Sequence, residues 1–223
     1  MKLSVSALKK SRMEETDIVQ DHPDAHIEHE PEKLPPVPKF ISPAETSEDM
    51  RGAMRGTWYH RILELHDYGR EGTAADWKSE VTEMVNGGFV PKETLTAIDF
   101  NKLGNFCRSD IGQRMKQAAL QGTIKREQAF VMGVPADTIQ AEYPASETVL
   151  IQGIIDAFFE EEDGIVLVDY KTDRVGTEDG EEVLKSRYGI QLRYYADAIT
   201  RGTGKKVKEC VIYSFALQKS VPL

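Results

Sequence analysis

The spacing of apolar residues changes several times along this chain, and each change marks an element. From Arg51, RGTWYHRILELHDYG places Trp58, Ile62 and Leu65, with Tyr59 and Leu63, at intervals of three and four. That is the period of one helix face, and Thr57 offers a cap near its start. Residues 74–121 continue as mostly helical and connective, punctuated by Pro91, Gly104 and Gly122. The period then shortens. REQAFVMGV (126–134), TVLIQGIIDAFFE (148–160) and GIVLVDYKT (164–172) are rich in β-branched and aromatic residues and read as strands. A helix is predicted over about 181–201, and VKECVIYSFAL (207–217) as the last strand.

Residues 1–50 differ from all of this. They hold 6 of the 10 prolines, carry 11 Asp/Glu against 6 Lys/Arg, and show little apolar periodicity after SVSALKK. An extended linker or arm is expected there, with a folded domain over residues 51–223. His22, His26 and His29 fall in this acidic, proline-flanked stretch and read as solvated side chains.

Asp156, Asp169 and Lys171 interrupt the apolar runs of two strands, where an unpaired charge costs several kcal/mol of desolvation. EEDG between those strands predicts a hairpin turning at Asp163-Gly164. In that register Phe158 faces Asp169 and Asp156 faces Lys171, and side-chain alternation puts all three charges on one side. Two carboxylates gathered this way suit a hard divalent cation bound through oxygen. A lysine beside them suits negative charge developing on a phosphoryl group, which points to phosphodiester hydrolysis. A cross-strand Asp–Lys pair with no ion is equally compatible with these three residues.

Composition narrows the class without choosing the chemistry. The 223 residues are 40% hydrophobic and 29% charged, as in ordinary globular proteins. No leader or apolar run of transmembrane length appears, so a cytoplasmic protein without membrane contact is expected. Cys107 and Cys210 lie far apart and form no CxxC, so free thiols are expected and no iron–sulfur cluster. No GxxxxGK[ST] loop occurs, hence no ATP site is expected. A net charge of −9 excludes a surface that grips nucleic acid everywhere, but not a local basic groove. Arg174, Lys185, Arg187, Tyr188, Arg193 and Tyr194 form such a basic and aromatic cluster after the hairpin, or else an amphipathic helix with solvated charges.

GIID, VDYKTDR and QLRYYADAI together resemble the RecB-type branch of the PD-(D/E)XK nuclease superfamily, and in particular the C-terminal nuclease domains of AddA-type helicase–nuclease subunits. SVSALKK, RGTWYHRILEL and YSFALQKSVPL extend the resemblance over almost the whole chain, although residues 74–121 contribute no motif. The family implies an α/β, restriction-endonuclease-like core with a mixed central sheet flanked by helices. It further implies that His60, Asp156 and Asp169, with the Tyr170 main-chain carbonyl, ligate Mg²⁺ or Mn²⁺. Lys171 would be the catalytic lysine, and Glu127 would assist a second ion or the attacking water. Gln191 and Tyr195, one helical turn apart, match a Q-x3-Y motif and would contact substrate or position Lys171; by spacing alone they are a core-facing stripe. His60 owes its role to the resemblance, since a single histidine on an amphipathic helix is ordinarily packed or solvated.

The activity implied is metal-dependent deoxyribonuclease action, of exonuclease type, on single-stranded ends during double-strand-break processing. The partners implied are DNA, a helicase portion and an AddB-type subunit. Arg174 and Arg193 would touch the strand. The competing expectation is a non-catalytic DNA- or protein-binding scaffold that keeps the fold.

Overall fold

A computed structural model of the chain describes residues 2–4, 47–70, 72–139 and 141–223. Most of the expected arm, with His22, His26 and His29, lies outside these residues, but Lys2–Ser4 form a strand, β1. Five helices follow: α1 (Ser47–Leu65), α2 (Ala74–Asn86), the short α3 (Thr94–Ala97), α4 (Phe100–Arg108) and α5 (Asp110–Leu120). The remainder runs β2 (Ile124–Pro135), β3 (Thr148–Glu161), β4 (Gly164–Lys171), α6 (Gly180–Thr203), β5 (Val207–Ser214) and β6 (Lys219–Pro222).

The helices obey local rules that the sequence displays. Thr73 and Asp76 close a reciprocal capping box at the start of α2, and Trp77, Val81 and Met84 then recur on its buried face. Ser109 ends α4 and caps α5, its hydroxyl accepting from Gly112 N–H. A Cβ on Gly112 would stand 2.1 Å from the Phe106 carbonyl oxygen, so only glycine lets the two helices meet this closely. The first helix begins earlier than its apolar pattern predicts. Ser47 to Gly56 contains no proline or β-branched run to stop it, and Thr57 therefore lies inside the helix, its hydroxyl donating to the Ala53 carbonyl (3.2 Å).

Among the described residues the strands form one mixed six-stranded sheet in the order β1-β3-β4-β5-β6, with β2 antiparallel to β3. Because β2 follows one edge of β3 from Thr148 to Phe159, β1 and β4 share the other edge. β1 pairs there up to Gln152 and β4 from Ala157 onward. Between them Gly153–Asp156 lack a strand partner on that edge among the described residues. The sheet is split at that point.

The β3–β4 turn falls on Glu162-Asp163, one residue ahead of the expected Asp163-Gly164, because Glu161 pairs with Gly164. Gly164 is needed in the strand itself: its φ is +146°, and a Cβ there would stand 2.9 Å from the Lys206 carbonyl oxygen. The register shifts by two, so Phe158 faces Leu167, and continuing it sets Asp156 opposite Asp169 rather than Lys171. A shift of two preserves which side each residue faces. The last predicted strand is also corrected. After Ser214 the chain turns, with Gln218 at φ +54° and Leu217 N–H bonded to Ser214 Oγ, and β6 returns antiparallel to β5.

Helices cover both sides of the sheet, which is why six of the eight residues of β4 are buried. Val166, Val168 and Tyr170 face a core built with Ile62, Leu63, Trp77, Phe106 and Met115. Ile165 and Leu167 face the other core, with Leu184, Leu192 and Ile199 of α6. No helix among the described residues is long and apolar enough to cross a membrane.

Candidate active site

The split in the sheet puts one side chain where a ladder hydrogen bond would otherwise lie. Asp156 Oδ2 accepts from Tyr170 N–H of the diverging strand at 2.8 Å, and Asp156 Oδ1 is 3.2 Å from His60 Nδ1 of α1. Helix α1 comes this close because of Gly56, one turn before His60, where an added Cβ would be 3.0 Å from Thr172 Oγ1. On the opposite edge of β3 the β2 register brings Glu127 level with Asp156, and their pairing lapses there. Glu127 takes a left-handed φ of +44°, a conformation that non-glycine residues adopt at a cost of about 1–3 kcal/mol. His60, Glu127 and Asp156 each offer a ligand atom within 4.8 Å of one another.

Asp169 and Lys171 lie on the α6 side of β4. Asp169 is 1% exposed, with Oδ2 2.5 Å from Lys171 Nζ, while its Oδ1 is buried without a hydrogen-bond partner among the described residues. The Lys171 ammonium in turn sits over the ring of Tyr188, 4.5 Å from its centroid. Tyr188 donates its hydroxyl to Asp173 Oδ1 (2.7 Å), which Arg187 also engages at 3.1 Å. Lys171 is thus gripped by a carboxylate and an aromatic face together.

The electrostatics follow from this crowding. Burial pushes the Asp169 carboxyl up to about 6, with Lys171 opposing and Asp156 adding to the rise. For Asp156, burial acts upward but is outweighed by the His60 charge and hydrogen bond, Lys171 and the Tyr170 N–H, so its carboxyl is held low. Burial first, then the negative charge of Asp156, pushes Glu127 up to about 7. Burial would lower His60 and Lys171, yet the charge of Asp156 on the first and of Asp169 on the second raises both.

Such a set fits a hard divalent cation, which would bind an imidazole nitrogen and carboxylates and relieve the repulsion at Glu127. Asp169, with one oxygen on Lys171 and the other unpartnered among the described residues, stands outside the tight donor group but beside it. Gln191 is buried and donates Nε2–H to Tyr195 Oη at 2.8 Å. Asp169, Asp156 and Glu127 all bear on the Tyr195 hydroxyl, and burial with those charges raises it. These two residues therefore join the group.

The predicted arginines do not. Arg193 lies on the exposed side of α6, away from the face that carries Gln191 and Tyr195, and Arg174 is exposed on the segment before α6. Lys185 pairs with Glu182 at 3.3 Å. Tyr188 was legible only as part of a basic and aromatic cluster; its place under Lys171 had a weak signal, the stripe it shares with Gln191 and Tyr195 on α6.

Comparison with known proteins gives the family. A model of the PD-(D/E)XK nuclease superfamily matches residues 33–221. An ATP-dependent helicase/nuclease subunit of Lachnoclostridium phytofermentans is 39% identical over 220 residues, covering 84% of this chain and 16% of that protein. Proteins of the same name from Clostridium novyi and Clostridium perfringens (strain ATCC 13124) are 36% and 34% identical, each over 99% of this chain and 17% and 18% of their own lengths. The chain therefore spans under a fifth of the relatives it matches. With a split mixed sheet, a carboxylate–imidazole group beside the split and a D-x-K strand next to it, the chain belongs to the PD-(D/E)XK nuclease superfamily.

Proposed function

We propose that this chain is a divalent-metal-dependent deoxyribonuclease that hydrolyses phosphodiester bonds at single-stranded DNA ends, with exonuclease character. It would act in double-strand-break processing as the nuclease part of a larger helicase–nuclease that also holds a helicase portion and an AddB-type subunit. The observation that carries this reading is the meeting of His60, Glu127 and Asp156 within 4.8 Å next to the Asp169–Lys171 pair.

His60, Glu127 and Asp156 are the residues that would hold Mg²⁺ or Mn²⁺, and by the family resemblance Asp169 and the Tyr170 main-chain carbonyl would complete the set. A bound ion would supply Lewis-acid stabilisation of charge on the phosphoryl oxygens. Lys171 presents a fixed positive charge to the same phosphoryl group, and its grip by Asp169 and Tyr188 means that little reorganisation is needed during reaction. Asp156 is fixed by Tyr170 N–H and His60, so its orientation does not depend on substrate. Gln191 and Tyr195 close the α6 side, where they would orient the strand.

The test is cleavage of end-labelled single-stranded DNA with Mg²⁺, Mn²⁺ or EDTA, run beside Asp169→Ala. Metal-dependent cutting that disappears in the variant is expected. Cutting that persists in EDTA, or at an unchanged rate in Asp169→Ala, would sink this reading.

A further inference from the structure

A cavity of about 530 Å³ lies between the C-terminal half of α6 and the β2–β3 ladder, and none of the residues assigned to the active site lines it. It reaches toward the active group at one end. Gln128 and Ile155, which line it, are the immediate chain neighbours of Glu127 and Asp156 and are paired with each other across the two strands. Its wall includes Phe130, whose ring meets Tyr195 edge-on at 5.6 Å. Tyr195 is the residue bonded to Gln191. Phe130 is held by Gly153, its partner in the ladder, since a Cβ there would stand 2.9 Å from the Phe130 ring and 3.2 Å from that of Tyr195. From this point the cavity runs along α6 to Ile199, Gly202 and Lys205.

We propose that this cavity is a nucleotide subsite that takes an unpaired base of the DNA strand, adjoining the phosphodiester to be cut. The inference rests on the nuclease reading and adds the place in the fold where a base of that strand is held. A nucleotide has a flat apolar base and a charged phosphate, and the cavity offers both complements. Its floor is apolar and includes the half-buried ring of Phe130, the kind of platform on which any base stacks. Ammonium groups stand at its rim: exposed Lys125, and Lys205, which is paired with Glu160. The volume falls in the range of sites that enclose small organic ligands, roughly 300–1,000 Å³. A base inside a duplex is stacked on both faces and cannot enter. The cavity therefore selects single strands by shape, with no need to read sequence.

Gly202 supplies a clean test, because an added Cβ there meets nothing within 4 Å and leucine is a better helix former than glycine. Gly202→Leu should fill the cavity while α6 stays intact, and Phe130→Leu should remove the stacking ring. Binding of a fluorescein-labelled 12-residue oligothymidylate is read by anisotropy in EDTA, so that nothing is cut, beside a duplex of equal length. Both variants should bind the single strand about tenfold more weakly and the duplex unchanged, in line with roughly 1–3 kcal/mol per stacked base. Unchanged single-strand affinity in Gly202→Leu, equal loss on the duplex, or no single-strand binding by the unsubstituted chain would each overturn the proposal. Loss of an apolar dye's fluorescence in Gly202→Leu with DNA affinity unaltered would assign the cavity to a protein segment instead. Because binding is read without cleavage, a chain that binds through Gly202 but never cuts would remove the nuclease reading alone.

Discussion

Glu127 combines a left-handed backbone, a burden for a side chain of its size, with a carboxyl pushed up to about 7 by burial and by Asp156. Its folded value lies above the usual carboxylate range, so the folded state holds this proton more tightly than the unfolded chain. Stability is therefore lost as pH rises from about 4.5 through 7, and the loss is complete above that. Glu127→Gln should make the metal-free protein about 1–3 kcal/mol more stable at pH 8, measured by urea unfolding, while weakening Mn²⁺ binding in calorimetry. Equal stability of the two proteins at pH 8 would contradict the cost assigned to holding this carboxylate charged beside Asp156 in a buried place. Lys171 makes the opposite prediction. Lys171→Ala should reduce cleavage by about 10²–10³ while leaving metal binding largely intact, because the lysine acts on charge in the reaction and not as a ligand. Near-normal turnover in that variant would refute its role. At this scale the sequence is unusually transparent where chemistry conflicts with burial: Asp156, Asp169 and Lys171 stand out because strands buried on both sides do not otherwise carry charge. Tyr188 does not stand out, because an aromatic at helical spacing looks the same whether it packs a core or cradles an ammonium.

Helix α5 is fastened to the sheet through Arg114. Its guanidinium makes two bonds to Glu161 of β3, 2.9 and 3.0 Å, and one of 2.7 Å to Glu209 of β5. The hydrogen bond from Arg114 holds the Glu161 carboxyl down to about 2. The sign is that of a depressed carboxylate: the contribution is full above about pH 4.5 and is lost as pH falls toward 2. Arg114→Ala should cost about 1–2 kcal/mol at pH 7 after allowance for partial exposure, and the gap from the unsubstituted protein should close across that acidic window. A gap independent of pH would show that Arg114 acts by packing alone. Elements were legible where the period spoke, as in α1 from Trp58 onward and in α6, and misplaced where remote contacts decide. The turn at Glu162-Asp163 is set by the approach of Lys206 to Gly164, from far along the chain, and β6 by a bend stabilised at Ser214. Neither leaves a local mark.

The proposed ligands come from four separate elements of the molecule, α1, β2, β3 and β4, and the first of these packs on the opposite core from α6. An ion bound there would tie those elements together in the native state only. At a hundredfold excess over its dissociation constant it should add about 3 kcal/mol, a rise of about 5–10 °C in Tm. EDTA should reverse the rise, and Asp156→Asn should abolish it; the same Tm with and without Mn²⁺ would argue for the scaffold. The overall architecture was legible because apolar runs flank amphipathic helices in a simple order, whereas the strand at Lys2–Ser4 was not, being three residues inside a stretch without periodicity.

That small strand has a bearing on how the molecule assembles. Lys2 finds its partner at Leu150, so β1 cannot dock until the helical region and β3 have been made, and closing so long a loop carries a large entropic cost. Until it docks, the edge of β3 next to Asp156 lies open to any extended segment within reach. On the nascent chain, the border of the reactive centre stays open until β3 has emerged and this long loop has closed.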